Sequence, residues 1–335
     1  MHPVPDPEHI RDMMVGYQKT AALRAAVDLQ VFTAIGEGAS SSGAIAAQCQ
    51  ASQRGIRILC DYLTIEGLLS KEDGNYSLTP ASAAFLDQRS SQYLGGMLQF
   101  LNAPSFWQAA ISLTETVRRG HTALGDGIAG DEAEEWIAFA RHMQPMAAAP
   151  AQFIAQLLVG VRVPSRVLDI AAGHGLYGIA VASHAPSAVV IAQDWPKVLA
   201  AVAESNAQKA GVSERYSLLP GSAFDVDFGT GFDLALVTNF LHHFDESTCV
   251  GFLRKVRKAM EKGGRIAVLE FIPNEDRISP PRAAAFSLNM LLQTPAGDAY
   301  TESELVRMLN SAGFTSHHTV EVPQSAQKLV VSFVT

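Results

Sequence analysis

VLDIAAGHGLYG, running from Val167 to Gly178, decides the fold of this 335-residue chain. An apolar strand leads into a glycine-rich loop and then into a helix, and Gly173, Gly175 and Gly178 fit the spacing G-x-G-x-x-G. Dinucleotide-binding turns have that spacing, but any tight passage from strand to helix also needs glycine, so the spacing alone decides little. The discriminating residue is Asp169, at the C-terminal end of the strand and four positions before Gly173. A carboxylate at the mouth of the loop repels a pyrophosphate and attracts a ligand with a cationic end. S-adenosylmethionine has such an end, an ammonium and a sulfonium, and carries no phosphate. Asp194 closes the next apolar run, VVIAQD, where an acid can accept hydrogen bonds from the ribose of either ligand class. Together the two acids favour the methyl donor. The competing reading of each is a helix cap or a solvated loop residue.

Working outward, the chain from Arg162 onward alternates strand-length apolar runs with helical stretches. VPSRVLDIAAG, SAVVIAQD, RYSLLPG, FDLALVTNF and GGRIAVLEF are the runs; KVLAAVAESNAQKAG and DESTCVGFLRKVRKAMEKG are the helices between them. This alternation predicts βαβ units around a buried parallel sheet. The tail, HHTVEVPQSAQKLVVSFVT, offers two strands with no helix between them, hence a hairpin at the sheet edge. Upstream, Pro7 to Phe85 reads as short helices and then a hairpin. Helix formers fill Met13 to Phe32, serines can cap SSSGAIAAQC and GIRILCDYLTIEG, and Asp73-Gly74 suits a tight turn. Helix, helix, hairpin is the outline of a winged helix. The middle, Ser91 to Val161, is helical, interrupted by Pro104, Pro145 and Pro150, and carries a glycine-rich loop at Gly125 to Asp131. The expected domains are therefore 1–90, 91–160 and 161–335.

The charge balance narrows the partners. Lys and Arg number 25 against 33 Asp and Glu, a net charge of -8, and residues 1–90 alone carry -3. The segment that would read DNA, Ser52 to Glu66, sets Arg54 and Arg57 against Asp61 and Glu66, so no nucleic-acid partner is expected. Cys49, Cys60 and Cys249 make neither a zinc spacing nor a disulfide framework, which suits a reducing compartment. The N-terminus lacks a basic and apolar leader pattern, and no apolar run approaches the ~18 residues of a membrane span. A cytoplasmic protein without a membrane partner is the expectation.

Five motifs in order give these residues a family likeness. VLDIAAGHG, QDWPKV, NFLHHFDESTC, GGRIAVLEFIP and DAYTESELVRMLNSAGF resemble the class I S-adenosylmethionine-dependent methyltransferases. Within them the chain is similar to the two-domain small-molecule O-methyltransferases of plants and bacteria. The resemblance implies a Rossmann-like α/β sheet, mostly parallel with an antiparallel edge strand. It also implies a winged-helix-like N-terminal domain that makes a homodimer, and S-adenosyl-L-methionine as cofactor. Carried over residue by residue, the cofactor contacts are Asp169, Gly173, Gly175, Asp194, Trp195, Ser222, Ala223, Phe224 and Asn239. Ser222 departs from the pattern, because the family often has an acid near that position. Trp195 reads equally well as a packing residue. Phe100, Trp107, Phe139, Met143, Met146, Phe286, Asn289 and Met290 are candidates for an apolar substrate wall; core packing competes for each. A flat phenol or polyketide-like acceptor is the implied substrate of secondary metabolism.

The chemistry is assigned to His242 and Glu270. His242 follows the predicted strand FDLALVTNFL and Glu270 ends the next, RIAVLE, so both lie at the carboxyl edge of the sheet, where ligands of α/β proteins bind. An imidazole with pKa near 6.5 can take the proton of a phenol at neutral pH, and a carboxylate can hold its second nitrogen. The family's base precedes its Cys by seven residues and its Glu by twenty-eight, as His242 precedes Cys249 and Glu270. The family's second acid aligns with Ala299, leaving Asp298 as the nearby carboxylate. His242-His243 and His317-His318 form no metal pattern, and no metal is expected; the second pair reads as solvated. Other readings of the chain are a C- or N-methyltransferase of the same fold and a catalytically silent ligand- or DNA-binding relative.

Overall fold

The computed structural model describes residues 7–125 and 134–335. The chain divides into a first unit ending at Ala103 and a second beginning at Pro104, so the middle region 91–160 is split between them. Most of the glycine-rich loop Gly125 to Asp131 lies outside the described residues.

In the first unit the helical stretch Met13 to Phe32 is broken twice. Helices span Glu8–Met14, Gly16–Asp28 and Val31–Gly36, and Gln30 between the last two takes a left-handed φ of 58° that ends the helix before it. Ser41 and Ser52 cap the next helices, Ser42–Gln48 and Gln53–Ile65, accepting from the Ala44 and Gly55 N–H groups. Strands β1 (Leu69–Glu72) and β2 (Asn75–Leu78) pair antiparallel around Asp73 and Gly74, both at positive φ, as their dipeptide predicts. Ile45, Ile56, Cys60, Leu63 and Tyr76 form the core under this hairpin.

In the second unit seven strands among the described residues form one sheet. They are β3 (Arg166–Ile170), β4 (Val189–Asp194), β5 (Tyr216–Pro220), β6 (Phe232–Thr238), β7 (Met260–Glu270), β8 (Thr315–Glu321) and β9 (Lys328–Phe333). Their order is β5-β4-β3-β6-β7-β9-β8, parallel from β5 to β7. The strand that runs against the rest is β9, antiparallel to both β7 and β8, so it lies second from the edge and β8 outside it. Strand β6 is buried along its whole length, as a parallel strand covered on both faces must be.

Alternation along the strands assigns the faces. Val167 packs with the helices Gln144–Val161 and Leu176–His184, while Leu168 and Ile170 pack on the other face with Glu246–Ala259 and Glu302–Ser311. Asp169 thus points to the Leu176–His184 side. Chain direction reverses its walk across the sheet at β3, with β4 on one side and β6 on the other. The crevice at the carboxyl ends of these strands is the ligand position of such sheets.

Candidate active site

The glycine loop closes on two carboxylates. Gly173 and Gly175 take positive φ angles of 54° and 74°, and Gly175 starts the helix Leu176–His184. Gly178 is glycine for a different reason: a β carbon there would lie 2.6 Å from Asp169 Oδ2 and 2.9 Å from Val190. Its absence lets the Gly178 N–H donate to Asp169 Oδ2 at 3.0 Å. Asp194 Oδ2 accepts from the Gly173 N–H at 2.7 Å, and its Oδ1 accepts from the Trp195 N–H at 2.6 Å.

Asp169 is fully buried and its Oδ1 has no partner among the described residues. Burial pushes its pKa up to about 7, against the pull of the Gly178 N–H and with the repulsion of Asp194 added. Asp194 is pushed up to about 6 by burial, opposed by its two N–H donors. Behind the loop the Tyr216 hydroxyl is also buried without a partner, and burial beside the two acids holds its pKa far above the ordinary value. The site is short of positive charge and of hydrogen-bond donors. A cationic ligand end supplies both, so these residues fit S-adenosylmethionine. His174, inside the loop, offers no cation: burial pushes it down to about 4, and its Nδ1 accepts from the Leu176 N–H at 3.2 Å.

On the far side of β3, Asn239 follows β6 at a left-handed φ of 56° and its N–H donates to the Leu269 carbonyl. Its side chain is held by Gln327 and by the Tyr177 hydroxyl. The short helical turn Leu241–His243 comes next. Glu270 Oε1 accepts the Phe240 and Leu241 N–H groups at 3.0 and 2.8 Å, and Oε2 lies 2.5 Å from His242 Nδ1. The Phe286 ring stands edge-on to His242 at 4.9 Å and stacks on Phe271 at 4.0 Å. His243 is placed differently. Its Nδ1 is buried without a partner, burial and the neighbouring His242 hold its pKa well below the ordinary value, and Trp136 stands edge-on to it at 5.6 Å.

With this geometry in view, comparison with known proteins decides the family. Residues 120–315 match the O-methyltransferase domain, and residues 12–88 match the O-methyltransferase dimerisation domain. The chain belongs to the O-methyltransferase family. This methyltransferase uses S-adenosylmethionine. It is 28% identical over 98% of its length, and 95% of the relative's, to the 3-hydroxy-5-methyl-1-naphthoate 3-O-methyltransferase of Streptomyces sahachiroi. A Nostoc punctiforme crystal structure assigned to the O-methyltransferases is 46% identical, with a TM-score of 0.95 over 98% of this chain and all of that one. PigF, solved with S-adenosylhomocysteine, is 25% identical with a TM-score of 0.87, over 98% and 100% of the two chains.

The remaining expected residues of the methyltransferase are spread over several elements. Phe224 packs with Phe240, Phe244 and Phe252 at 4.9–6.0 Å, and Lys255 Nζ holds the Ala223 and Phe224 carbonyls at 3.0 and 2.7 Å. Ser222 Oγ accepts from the Phe224 N–H. Trp195 packs with Trp136, Ile137, Val198 and Val202, and Phe139 stands edge-on to Trp136 at 5.8 Å. Trp107 lies on Pro104–Ile111, a helix that packs against Pro281–Gln293, the helix of Phe286, Asn289 and Met290. Met290 is buried, Asn289 and Met143 half-buried, and Met146 48% exposed. Phe100 belongs to the first unit. His317 corrects a sequence expectation. It is half-buried, with both ring nitrogens bonded, to Ser332 and Asn310, because it sits on the sheet face that meets the last helix; His318 is exposed. Tyr177, Tyr216 and Phe271 were missed. Of these only Tyr177 carried a signal, its place inside the glycine motif.

Proposed function

We propose that this methyltransferase methylates a hydroxyl of an aromatic or polyketide-like small molecule, with His242 as general base and Glu270 as its orienting partner. The saturation of Glu270 carries the reading. One carboxylate oxygen takes two backbone N–H groups and the other takes His242 Nδ1–H at 2.5 Å. Held as an acceptor, Glu270 fixes the tautomer and leaves Nε2 with the lone pair that accepts a proton. S-adenosylmethionine, when bound, supplies an electrophilic methyl carbon. His242 removes the acceptor's proton as the oxygen attacks, Glu270 holds the imidazolium that results, and Phe286 keeps the ring at one angle. The cofactor contacts are assigned to Asp169, Gly173, Gly175, Asp194, Trp195, Ser222, Ala223, Phe224 and Asn239. The aromatic surroundings of His242 and His243 and the naphthoate-acting relative support a flat acceptor. The test is mass spectrometry of products from a panel of phenols and hydroxynaphthoates. Methyl ethers are expected, and methylation at carbon or nitrogen, or none, would overturn the reading.

We also infer a homodimer built on a winged-helix-like N-terminal unit. The matched dimerisation domain supports it, as do Met13, Met14, Tyr17 and Ile65, apolar side chains 60–80% exposed in that unit. Three free cysteines are consistent with the cytoplasm, and among the described residues no helix is long and apolar enough to cross a membrane.

A further inference from the structure

The support of His242 has a gap where the family pattern has a second acid. Ala299 stands at that position, fully buried, and Asp298 is engaged elsewhere, pairing with Arg277 at 3.2 Å and accepting the Ala299 N–H at 2.8 Å. The backbone of the same segment does something else. Gly297 lies directly against the turn that carries the base. A β carbon on it would sit 2.9 Å from the His243 carbonyl carbon, 2.7 Å from Thr294 Oγ1 and inside contact distance of the His242 carbonyl oxygen.

Both ends of this segment are pinned. Thr294 is buried, its hydroxyl donates to the Met290 carbonyl at 2.7 Å and accepts the Gly297 N–H at 2.8 Å, and its carbonyl accepts the Thr122 N–H. At the other end the Tyr300 hydroxyl donates to the Phe244 carbonyl, and Tyr300 is 8% exposed. The stretch from Thr294 to Tyr300 therefore touches the turn at His242, His243 and Phe244, and Glu270 holds the same turn at Phe240, Leu241 and His242.

We propose that Thr294 to Tyr300 is a clasp that sets the position of His242, with Gly297 and Tyr300 as its positioning residues. The inference rests on His242 being the base. Packed backbone has no slack for an added methyl, so Gly297→Ala displaces the His242 carbonyl and with it the imidazole. A displacement near 1 Å costs on the order of 10²-fold in rate.

The first readout needs no acceptor. A proton on His242 Nδ1 bonded to a carboxylate at 2.5 Å should give a far-downfield NMR resonance, identified by its loss in His242→Asn. Gly297→Ala should shift that resonance upfield or erase it, and Tyr300→Phe should shift it less in the same direction. S-adenosylhomocysteine affinity by calorimetry should stay within about twofold, because the cofactor loop is untouched, while turnover of whichever panel phenol the wild type methylates falls about 10- to 100-fold. A wild-type resonance and turnover in both variants would overturn the clasp. If Gly297→Ala fails to fold, Tyr300→Phe decides alone. Normal turnover in His242→Asn would overturn the base assignment, and a shifted resonance in Gly297→Ala would still stand for the clasp.

Discussion

Asp169→Asn tests the proposed cofactor contact by separating the charge it would offer the ligand from the stability that the ligand-free chain gives up to keep it. Asp169 is fully buried, one oxygen bonded to the Gly178 N–H and the other without a partner among the described residues, and its pKa is pushed up to about 7. Measured from the ordinary 3.8, the rise is about three units at 1.36 kcal/mol each, so with relaxation allowed the ionised form costs on the order of 2–4 kcal/mol of folding free energy. Between pH 4 and about 7 the folded chain keeps a proton that the unfolded chain has released, so this group lowers stability as pH rises through the window. Asparagine still accepts the Gly178 N–H and carries no charge, and burying a neutral amide costs less than burying a carboxylate. Thermal unfolding of the ligand-free variant at pH 8 should therefore come several degrees above wild type, and the gap should narrow at pH 5. Calorimetry with S-adenosylhomocysteine should lose on the order of 10²-fold in affinity, because nothing then balances the ligand's ammonium. A variant less stable than wild type at pH 8, or one that binds S-adenosylhomocysteine as well, would refute the argument.

His242→Ala should lower turnover roughly 10²- to 10⁴-fold and leave S-adenosylhomocysteine affinity nearly intact, and His243→Ala should cost less; the same loss in His243→Ala alone would reassign the base. Gly178→Ala forces a methyl to within 2.6 Å of Asp169 Oδ2, so it should cost about 1–3 kcal/mol in thermal or urea unfolding and weaken cofactor binding. Ile65→Asp, at a side chain 80% exposed in the N-terminal unit, should shift sedimentation from dimer toward the 35.8 kDa monomer without loss of fold; an unchanged dimer would place the interface elsewhere.

The strands were legible because burial on both faces writes apolar runs into the sequence, and the turns because Asp73-Gly74 and the glycines of 173–178 need unusual φ angles. The helix breaks at Gln30 and the widened turn at Leu199–Ala203 left no such trace. Each is a local compromise with packing rather than a preference of its residues. The two carboxylates of the loop, Glu270 and the His242 that faces it were legible in the sequence because each lies at or just beyond the carboxyl end of a strand. Tyr216 was not, because a tyrosine in an apolar run looks like core, and only its unpartnered hydroxyl beside Asp169 and Asp194 sets it apart.

Ala299 is the clearest case of a site that sequence likeness leaves incomplete. A pattern that names acids treats the missing one as a loss of support for the base. The structure has two other features around His242, and in the proposals above both hold it. One is a carboxylate saturated by backbone N–H groups, which depends on β6 and β7 being neighbours in register, Thr238 beside Leu269. The other is the absence of a β carbon at Gly297. Both are properties of where backbones pass each other. Asn239 makes the same point on the cofactor side. Its left-handed φ turns the chain out of β6, and its amide ties Tyr177, the neighbour of Asp169, to the strand that leads to His242. Asparagine tolerates that conformation better than a branched residue would. The residue proposed as a cofactor contact is thus also, in the fold, a tie between the helix after the glycine loop and the segment after β6.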